Sequence, residues 1–454
     1  MTSVLSLKGA RRRRSHLYFA GLATAVCIAT PASAAPDFAQ AISADYHASL
    51  SQLFDWLHRN PELSLQEVNT AKRIAHELRA ISGMDVTEGV GRTGVVAVLR
   101  NGLGPTVLVR ADMDALPVEE LTGLPNASQV RQIGLDGVEQ PVMHACGHDT
   151  HMTALVASAR QLAKMRGRWS GTAVFIAQPA EEVGEGAKAM IADGLYTRFP
   201  KPDFAIAFHV AAELPTGTLT ASETTQYSSS DAIDITVRGI ATHGASPQLG
   251  RDPIFIASQL VVALQGIIGR ERPPLDPGLI TVGTFQAGTK RNIIADSAVL
   301  QLIVRTNEPE TRDLLVSAIR RTAAGISLAN GVPPELEPVV TIVTSAPPVI
   351  NDTQLARRIL AGFAKAFGDG AVKPWRQVDM GAEDFAYLVA PQHGVRGFYF
   401  LVGGTPEAAF KAAAAGGPPV AGHHSPRFKV DAEAAVTVGA TATVVAVLEL
   451  LEKK

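Results

Sequence analysis

The sequence has few cysteines and no excess of charge of either sign. Its 454 residues include two cysteines, and 41 Lys and Arg nearly balance 43 Asp and Glu. Because acids and bases are spread along the chain after the first 15 residues, a basic face for nucleic acid or anionic lipid is not expected. A hydrophobic content of 46% excludes a disordered chain, and the length predicts two or three domains. We expect a small-molecule or peptide substrate.

The first 34 residues have the composition of a secretory signal peptide. A basic stretch at residues 11–14 precedes an apolar run at 17–29 and three small residues at 32–34, which is the order of a cleavable signal. The apolar run is shorter than the roughly 20 residues that cross a membrane. We therefore predict an exported protein, periplasmic or secreted, that begins near Ala35 and keeps no stable membrane anchor. Arg13 and Arg14 leave twin-arginine and Sec export both open.

Removal of the signal would also remove Cys27 and leave Cys146 as the single thiol of the mature chain. A disulfide within the chain is then impossible. Within nine positions, 143–151, Cys146 is accompanied by three histidines and one aspartate. Such side chains contribute little to a core, so this segment indicates a metal or catalytic site. A second cluster, Glu181 and Glu182, follows an apolar segment that is predicted to be a buried strand. In α/β sheets, binding and catalytic residues lie at the carboxyl ends of the strands.

Apolar segments alternate with segments of helical periodicity, which is typical of an α/β fold. Short apolar strands bounded by turn residues, as in a largely parallel buried sheet, are predicted at 95–99, 106–109, 172–177 and 204–208. Between 232 and 343 the order changes to βαββαβ, the pattern of a ferredoxin-like domain. The predicted divisions are a signal peptide (1–34), a catalytic domain in two parts (35–229 and 346–454) and an inserted domain between them (230–345).

Six motifs in order carry a family resemblance: residues 110–117 (RADMDALP), 144–149 (HACGHD), 181–182 (EE), 208–210 (FHV), 380–385 (MGAEDF) and 424–426 (HSP). They resemble the dinuclear metallo-amidohydrolases, in the branch of hippurate hydrolases and hydrolases of N-acyl and indole-acetyl amino acids. The resemblance implies that the inserted domain is a lid that also mediates homodimerisation. It also implies two divalent metal ions per chain, Zn²⁺ or Mn²⁺ with Co²⁺ or Ni²⁺ as further options, held by Cys146, His148, Glu182, His209 and His424.

The same resemblance assigns roles around the metals. Glu181 would act as the general base, and Asp114 and Asp149 would be acids that orient the ligands, with Asp114 counted as catalytic. The substrate carboxylate or the oxyanion would be bound by His243, Asn292, Arg305 and the backbone N–H of Gly381, with His243 acting across the dimer.

Several simpler interpretations stay open beside these roles. Arg305 could be an exposed charge at a strand end, and Glu383 and Asp384 could cap the helix that they open. Of the neighbouring pair at 423–424, only His424 is expected to face the metals, and His423 is expected to be exposed to solvent.

The predicted reaction is hydrolysis of the amide bond of N-acyl or N-aroyl L-amino acids. The alternatives are a metallo-dipeptidase or carboxypeptidase, or a non-catalytic protein that binds acylated amino acids. Three departures from the family pattern leave the substrate open: Gln248, Ala295 and a long segment at 129–141.

Overall fold

The computed structural model describes residues 36–368 and 370–453. The predicted signal peptide, residues 1–34, lies outside these residues, so that prediction stays untested. The fold is mixed α/β with a central sheet whose inner strands are parallel, as predicted.

The central sheet has seven strands. Its outer pairs are antiparallel, and the four inner strands run in parallel. In spatial order the strands are Met84–Val90, Gly94–Asn101, Gly171–Gln178, Thr106–Asp112, Phe204–Pro215, Arg396–Thr405 and Leu219–Thr220. The inner strands are apolar and buried along nearly their whole length because helices cover both faces.

Helices of the central unit pack on the two faces of this sheet and supply the rest of its core. Two of them begin at an aspartate whose side chain accepts a backbone N–H of the first turn, Asp352 and Asp431. The helices are Asp37–Asp45, Tyr46–Leu50 (a π-helix), Ser51–Arg59, Val68–Arg79, His148–Lys164, Gly186–Ala192, Leu195–Arg198, Thr353–Phe367, Phe385–Leu388, Glu407–Ala414 and Ala432–Leu451.

A second, antiparallel sheet of four strands lies between the two halves of the central unit in the sequence. Its spatial order is Gly278–Ala287, Ser297–Thr306, Ser230–Arg238 and Val339–Ala346, and the helices Pro253–Arg270 and Pro309–Ala329 pack on one face. Along Ser230–Arg238 every second residue is buried, because only that face is covered. The chain order is βαββαβ, and the strand order is that of a ferredoxin-like sheet. We call this unit the small domain.

Shorter elements complete the fold. Three two-stranded ribbons pair Thr225–Tyr227 with Val349–Ile350, Thr242–His243 with Ile293–Ile294, and Arg131–Ile133 with Glu139–Pro141. Short 3₁₀ turns occur at Pro247–Leu249, Pro334–Leu336 and Pro391–His393. By length and composition alone, Pro253–Arg270 and Ala432–Leu451 could each cross a membrane. The second is mostly buried in the core of the central unit, and the first packs on the small sheet.

Candidate metal centre

The segment that contains Cys146 and the segment that contains Glu181 and Glu182 meet at the carboxyl edge of the central sheet. Asp112 ends one parallel strand and pairs in register with Gln178, the last residue of the next. Glu181 and Glu182 follow Gln178 after a short turn. His209 lies in the neighbouring strand Phe204–Pro215. Parallel strands deliver their carboxyl ends to one side of the sheet, so residues distant in sequence converge there.

The turn before the helix His148–Lys164 places the thiol beside this edge. Gly147 has φ of +84°, and a Cβ on it would lie 2.5 Å from Val210 Cγ1. Only glycine fits both this left-handed conformation and this close approach. The turn therefore holds Cys146 and His148 over Val210, the neighbour of His209.

Two histidines in this region are held so that their Nε2 atoms are free to bind a cation. His148 Nδ1 donates to the Asp114 carbonyl (2.7 Å), and His209 Nδ1 donates to the Val210 carbonyl (2.7 Å). Each carbonyl requires a proton on Nδ1, so Nε2 is the nitrogen that each ring would offer to an ion. His209 Nε2 lies 3.3 Å from Cys146 Sγ, and His148 Nε2 is buried without a hydrogen-bond partner among the described residues.

A second group of potential ligands shares the same thiol. Glu182 Oε2 lies 3.4 Å from His424 Nε2, and Glu182 Oε1 has no hydrogen-bond partner within the described part of the chain. His424 has φ of +62° and is held by a hydrogen bond from its N–H to the Ala145 carbonyl (2.8 Å). Such strain in a non-glycine residue is typical of functional sites.

The charge balance of the site favours cations. Burial raises the pKa of the Cys146 thiol well above its usual range, and the charges of Glu182 and Glu181 raise it further. Burial also raises the pKa of Glu182 to about 7. A divalent cation would offset this negative charge and stabilise the thiolate. Potential ligand atoms of Cys146, His148 and His209 lie within 4.8 Å of one another, as do those of Cys146, Glu182 and His424. The five residues thus fit two ions with the thiol common to both.

Glu181 lies beside these groups and is fixed through its backbone. Asp114 accepts the N–H of Glu181 on Oδ1 (3.1 Å) and the N–H of Glu182 on Oδ2 (3.0 Å). Ala180 has φ of +52°, and its N–H is held by Glu67 Oε1 (2.8 Å). Burial raises the pKa of Glu181 well above its usual range, and the charges of nearby carboxylates raise it further. Asp114 therefore positions the Glu181–Glu182 turn.

A buried arginine beneath Glu181 corrects one expectation from the sequence. Glu383 and Asp384 chiefly bind Arg110: its Nη2 lies 2.7 Å from Glu383 Oε1 and 3.1 Å from Asp384 Oδ1. Arg110 also binds Asp112 (2.5 Å). Glu383 does accept one helix N–H, from Phe385, whereas Asp384 makes no such cap. The sequence alone does not predict this role for Arg110, because the burial of a strand does not identify the ionic partners of its side chains.

Two further expectations are corrected by the histidine contacts. Asp149 binds His58 Nδ1 (2.7 Å) and contacts no proposed ligand through its carboxylate. Burial lowers the pKa of His58, but the hydrogen bonds to Asp149 and Glu120 outweigh burial and raise this pKa to about 10. His423 is three-quarters buried rather than exposed: its side chain is 25% accessible, its Nδ1 lies 3.9 Å from Cys146 Sγ, and its Nε2 accepts the Ala212 N–H (3.3 Å).

His151, which the sequence interpretation left without a role, lies within the cluster. It accepts the Val210 N–H on Nε2 (2.9 Å), so its Nδ1 carries the proton and donates to Asp112 (2.6 Å). Both nitrogens are engaged, and His151 therefore fits a supporting role better than a ligand role. Its spacing of three residues from His148 on one helix could have revealed that the two rings are neighbours.

A cavity of about 980 Å³ opens over these groups, between the central unit and the small domain. Arg305 lines it and donates to the Met380 carbonyl (2.9 Å), so it is not simply an exposed strand-end charge. Gly381 also lines it, but its N–H already donates to Asp379 (2.9 Å). His243 and Asn292 lie outside the lining of this cavity. One chain therefore brings the five proposed ligands together with Glu181 and Arg305. His243 and Asn292 lie apart from this group.

Comparison with known proteins identifies relatives of this arrangement. The model of peptidase family M20/M25/M40 matches residues 108–446. Hippurate hydrolase of Campylobacter jejuni is 35% identical over 348 residues, which cover 76% of this chain and 86% of the relative. Thermostable carboxypeptidase 2 of Saccharolobus solfataricus is 35% identical over 368 residues, 78% and 87% of the two chains. The Bacillus subtilis YXEP protein, described as a dinuclear metal binding peptidase, superimposes with a TM-score of 0.72 at 30% identity, covering 90% of this chain and 99% of its own.

Proposed function

The chain belongs to peptidase family M20/M25/M40 and is a metallo-amidohydrolase that acts on amide bonds, and we propose that its substrates are N-acyl or N-aroyl L-amino acids. Hydrolysis would release a carboxylic acid and an amino acid. The observation that carries this proposal is one cavity that holds two ligand groups sharing Cys146, a carboxylate beside them and a guanidinium. The hippurate hydrolase relative supports the substrate class.

The proposed ligands are Cys146, His148, Glu182, His209 and His424. Ions bound there would polarise the amide carbonyl and make an attacking water more acidic. The mixed sulfur, nitrogen and oxygen set suits Zn²⁺, with Mn²⁺, Co²⁺ or Ni²⁺ as alternatives.

Glu181 would move the proton during hydrolysis. Its carboxylate would take a proton from water and deliver it to the leaving nitrogen, and its position next to Glu182 places it beside the ligand groups. The Asp114 hydrogen bonds fix the turn that carries it.

Arg305 would bind the substrate carboxylate. One of its nitrogens is engaged by the Met380 carbonyl, and the remaining N–H groups can pair with a carboxylate in the cavity. The acyl group would contact the apolar part of the lining, which includes Trp375, Leu214 and Leu401. This lining is roomy enough for an aromatic acyl group, in keeping with hippurate-like substrates.

A panel of N-acetyl, N-benzoyl and indole-acetyl amino acids, assayed beside free dipeptides with and without a chelator, tests the proposal. We expect turnover of the N-acylated compounds that is lost with the chelator and recovered on adding Zn²⁺ or Mn²⁺. Turnover confined to free dipeptides would contradict the substrate class.

A carboxypeptidase or dipeptidase is the second candidate. It is favoured by the relative named thermostable carboxypeptidase 2 and by Glu213 and Asp379, carboxylates in the cavity that could bind a free α-amine. The same panel separates a dipeptidase from the proposed function, because a dipeptidase would prefer the unblocked amine.

Export and dimerisation are also proposed. The signal-like residues 1–34 support a periplasmic or secreted location. The helix Pro253–Arg270 exposes Phe255 (57%) and Val262 (74%), which supports a homodimer through the small domain. Mass spectrometry of the exported protein and light scattering of the purified protein test these two points.

A further inference from the structure

Tyr227 lines the cavity but has no part in the roles assigned to the ligands, Glu181 and Arg305. It ends the short strand Thr225–Tyr227, just before the first strand of the small domain. Its ring packs edge-to-face on Tyr399, with centroids 5.3 Å apart and an angle of 86°. On another side it packs on Gly381, where an added Cβ would lie 3.4 Å from Tyr227 Cδ1. The ring is therefore held in place at the wall of the cavity.

The hydroxyl of Tyr227 differs from those of the tyrosines around it. Tyr399 donates to Glu383 Oε2 (2.6 Å), Tyr196 to the Leu388 carbonyl (2.7 Å) and Tyr387 to the Ser345 carbonyl. The Tyr227 hydroxyl has no hydrogen-bond partner within residues 36–368 and 370–453. Tyr227 is partly accessible and lines the cavity, so a hydroxyl without a protein partner is available to whatever fills the cavity.

The surroundings keep this hydroxyl protonated. Burial raises the pKa of Tyr227 well above its ordinary value, and the charges of Glu383 and Cys146 raise it further. Glu213 and Glu181 act in the same direction. Tyr227 lines the same cavity as Cys146 and Glu181, and a neutral phenol in that position is a hydrogen-bond donor.

We propose that the Tyr227 hydroxyl donates a hydrogen bond to the carbonyl oxygen of the scissile amide and that this bond strengthens as negative charge develops there during hydrolysis. The inference rests on the proposed function, because it assigns the residue to the same reaction. In amide hydrolysis, water adds to the carbonyl carbon as it gives up a proton to Glu181, and negative charge develops on the carbonyl oxygen. A fixed donor at that oxygen stabilises the transition state more than the substrate.

The test compares Tyr227→Phe with wild type on N-benzoylglycine. Phenylalanine keeps the ring that packs on Tyr399 and Gly381 and removes only the hydroxyl. We expect kcat to fall by roughly 10²-fold, the scale of losing one oxyanion donor, while KM and metal content stay near wild type. Affinity for a phosphinic-acid analogue of N-benzoylglycine, measured by calorimetry, should fall by a similar factor, and affinity for glycine should not change.

Tyr196→Phe is the matched control, since it removes a hydroxyl that is bound to a backbone carbonyl outside the cavity, and it should behave as wild type. A kcat loss in Tyr227→Phe of less than about tenfold, or a rise in KM with unchanged kcat, would overturn the inference while leaving the proposed function intact. Absence of wild-type turnover on every N-acyl amino acid would overturn both.

Discussion

Replacing Arg110 by Met should destabilise the protein strongly, because it leaves three carboxylates buried without their cation. Arg110 is fully buried and contacts Asp112, Glu383 and Asp384 at 2.5 to 3.1 Å. Removing one partner of a buried ion pair typically lowers the free energy of unfolding by about 3–5 kcal/mol. We expect a net loss of that order rather than a multiple of it, since carboxylates can take up protons and burial already raises the pKa of Asp384 to about 7.

Thermal unfolding followed by circular dichroism measures the effect. At an unfolding entropy of roughly 2.1 cal/mol/K per residue, a central unit of about 300 residues shifts by roughly 1.6 °C per kcal/mol, so the midpoint should fall by roughly 5–8 °C. Arg100→Met is the matched control: Arg100 pairs with Asp85 at a comparable distance (2.7 Å), but both side chains are more than half exposed. An exposed pair contributes little, so the control should unfold near the wild-type midpoint. Equal shifts in the two variants would refute the reasoning from burial.

Three further predictions concern the site. Cys146→Ser should lower metal content in elemental analysis, because a hydroxyl is a far poorer ligand than a thiolate; an unchanged content would remove Cys146 from the ligand set. Arg305→Ala should weaken turnover of carboxylate-bearing substrates much more than of their amide derivatives, and equal losses would point to a structural role for Arg305. Chelation should lower the thermal midpoint and Zn²⁺ should restore it, because ions that bind the folded chain stabilise it; an unchanged midpoint would contradict a resident metal.

The sequence predicted the fold class because the apolar pattern was clear. The inner strands of the central sheet are continuous apolar runs, and every second residue of Ser230–Arg238 is buried, as the pattern of that strand requires. The strand Met84–Val90 was missed because it lies at the sheet edge and carries Asp85 and Glu88. The extra segment at 129–141 proved to be an exposed hairpin, a structure that its polar turn residues could have indicated.

At the site, the sequence predicted residue types better than their contacts. The five proposed ligands converge from different kinds of position: His209 lies within a strand, Glu182 follows a strand after a short turn, Cys146 and His148 lie at the start of a helix, and His424 lies in a loop. The partners of Arg110 and Asp149 were not predictable, since Glu383 and His58 are distant in sequence and no local periodicity relates them. His243 and Asn292 lie outside the cavity of one chain, so a role for them stays a prediction that requires a second chain or a closed small domain.

The central claim is that Glu181 moves the proton in a metal-dependent amide hydrolysis, and kinetics of Glu181→Gln with parallel metal analysis test it most directly. Glutamine keeps the size of the side chain but cannot accept the proton. We expect kcat on N-benzoylglycine to fall by at least about 10²-fold, with metal content and thermal midpoint close to wild type. A variant that binds metal normally and retains more than about a tenth of the wild-type kcat would contradict this account of the site.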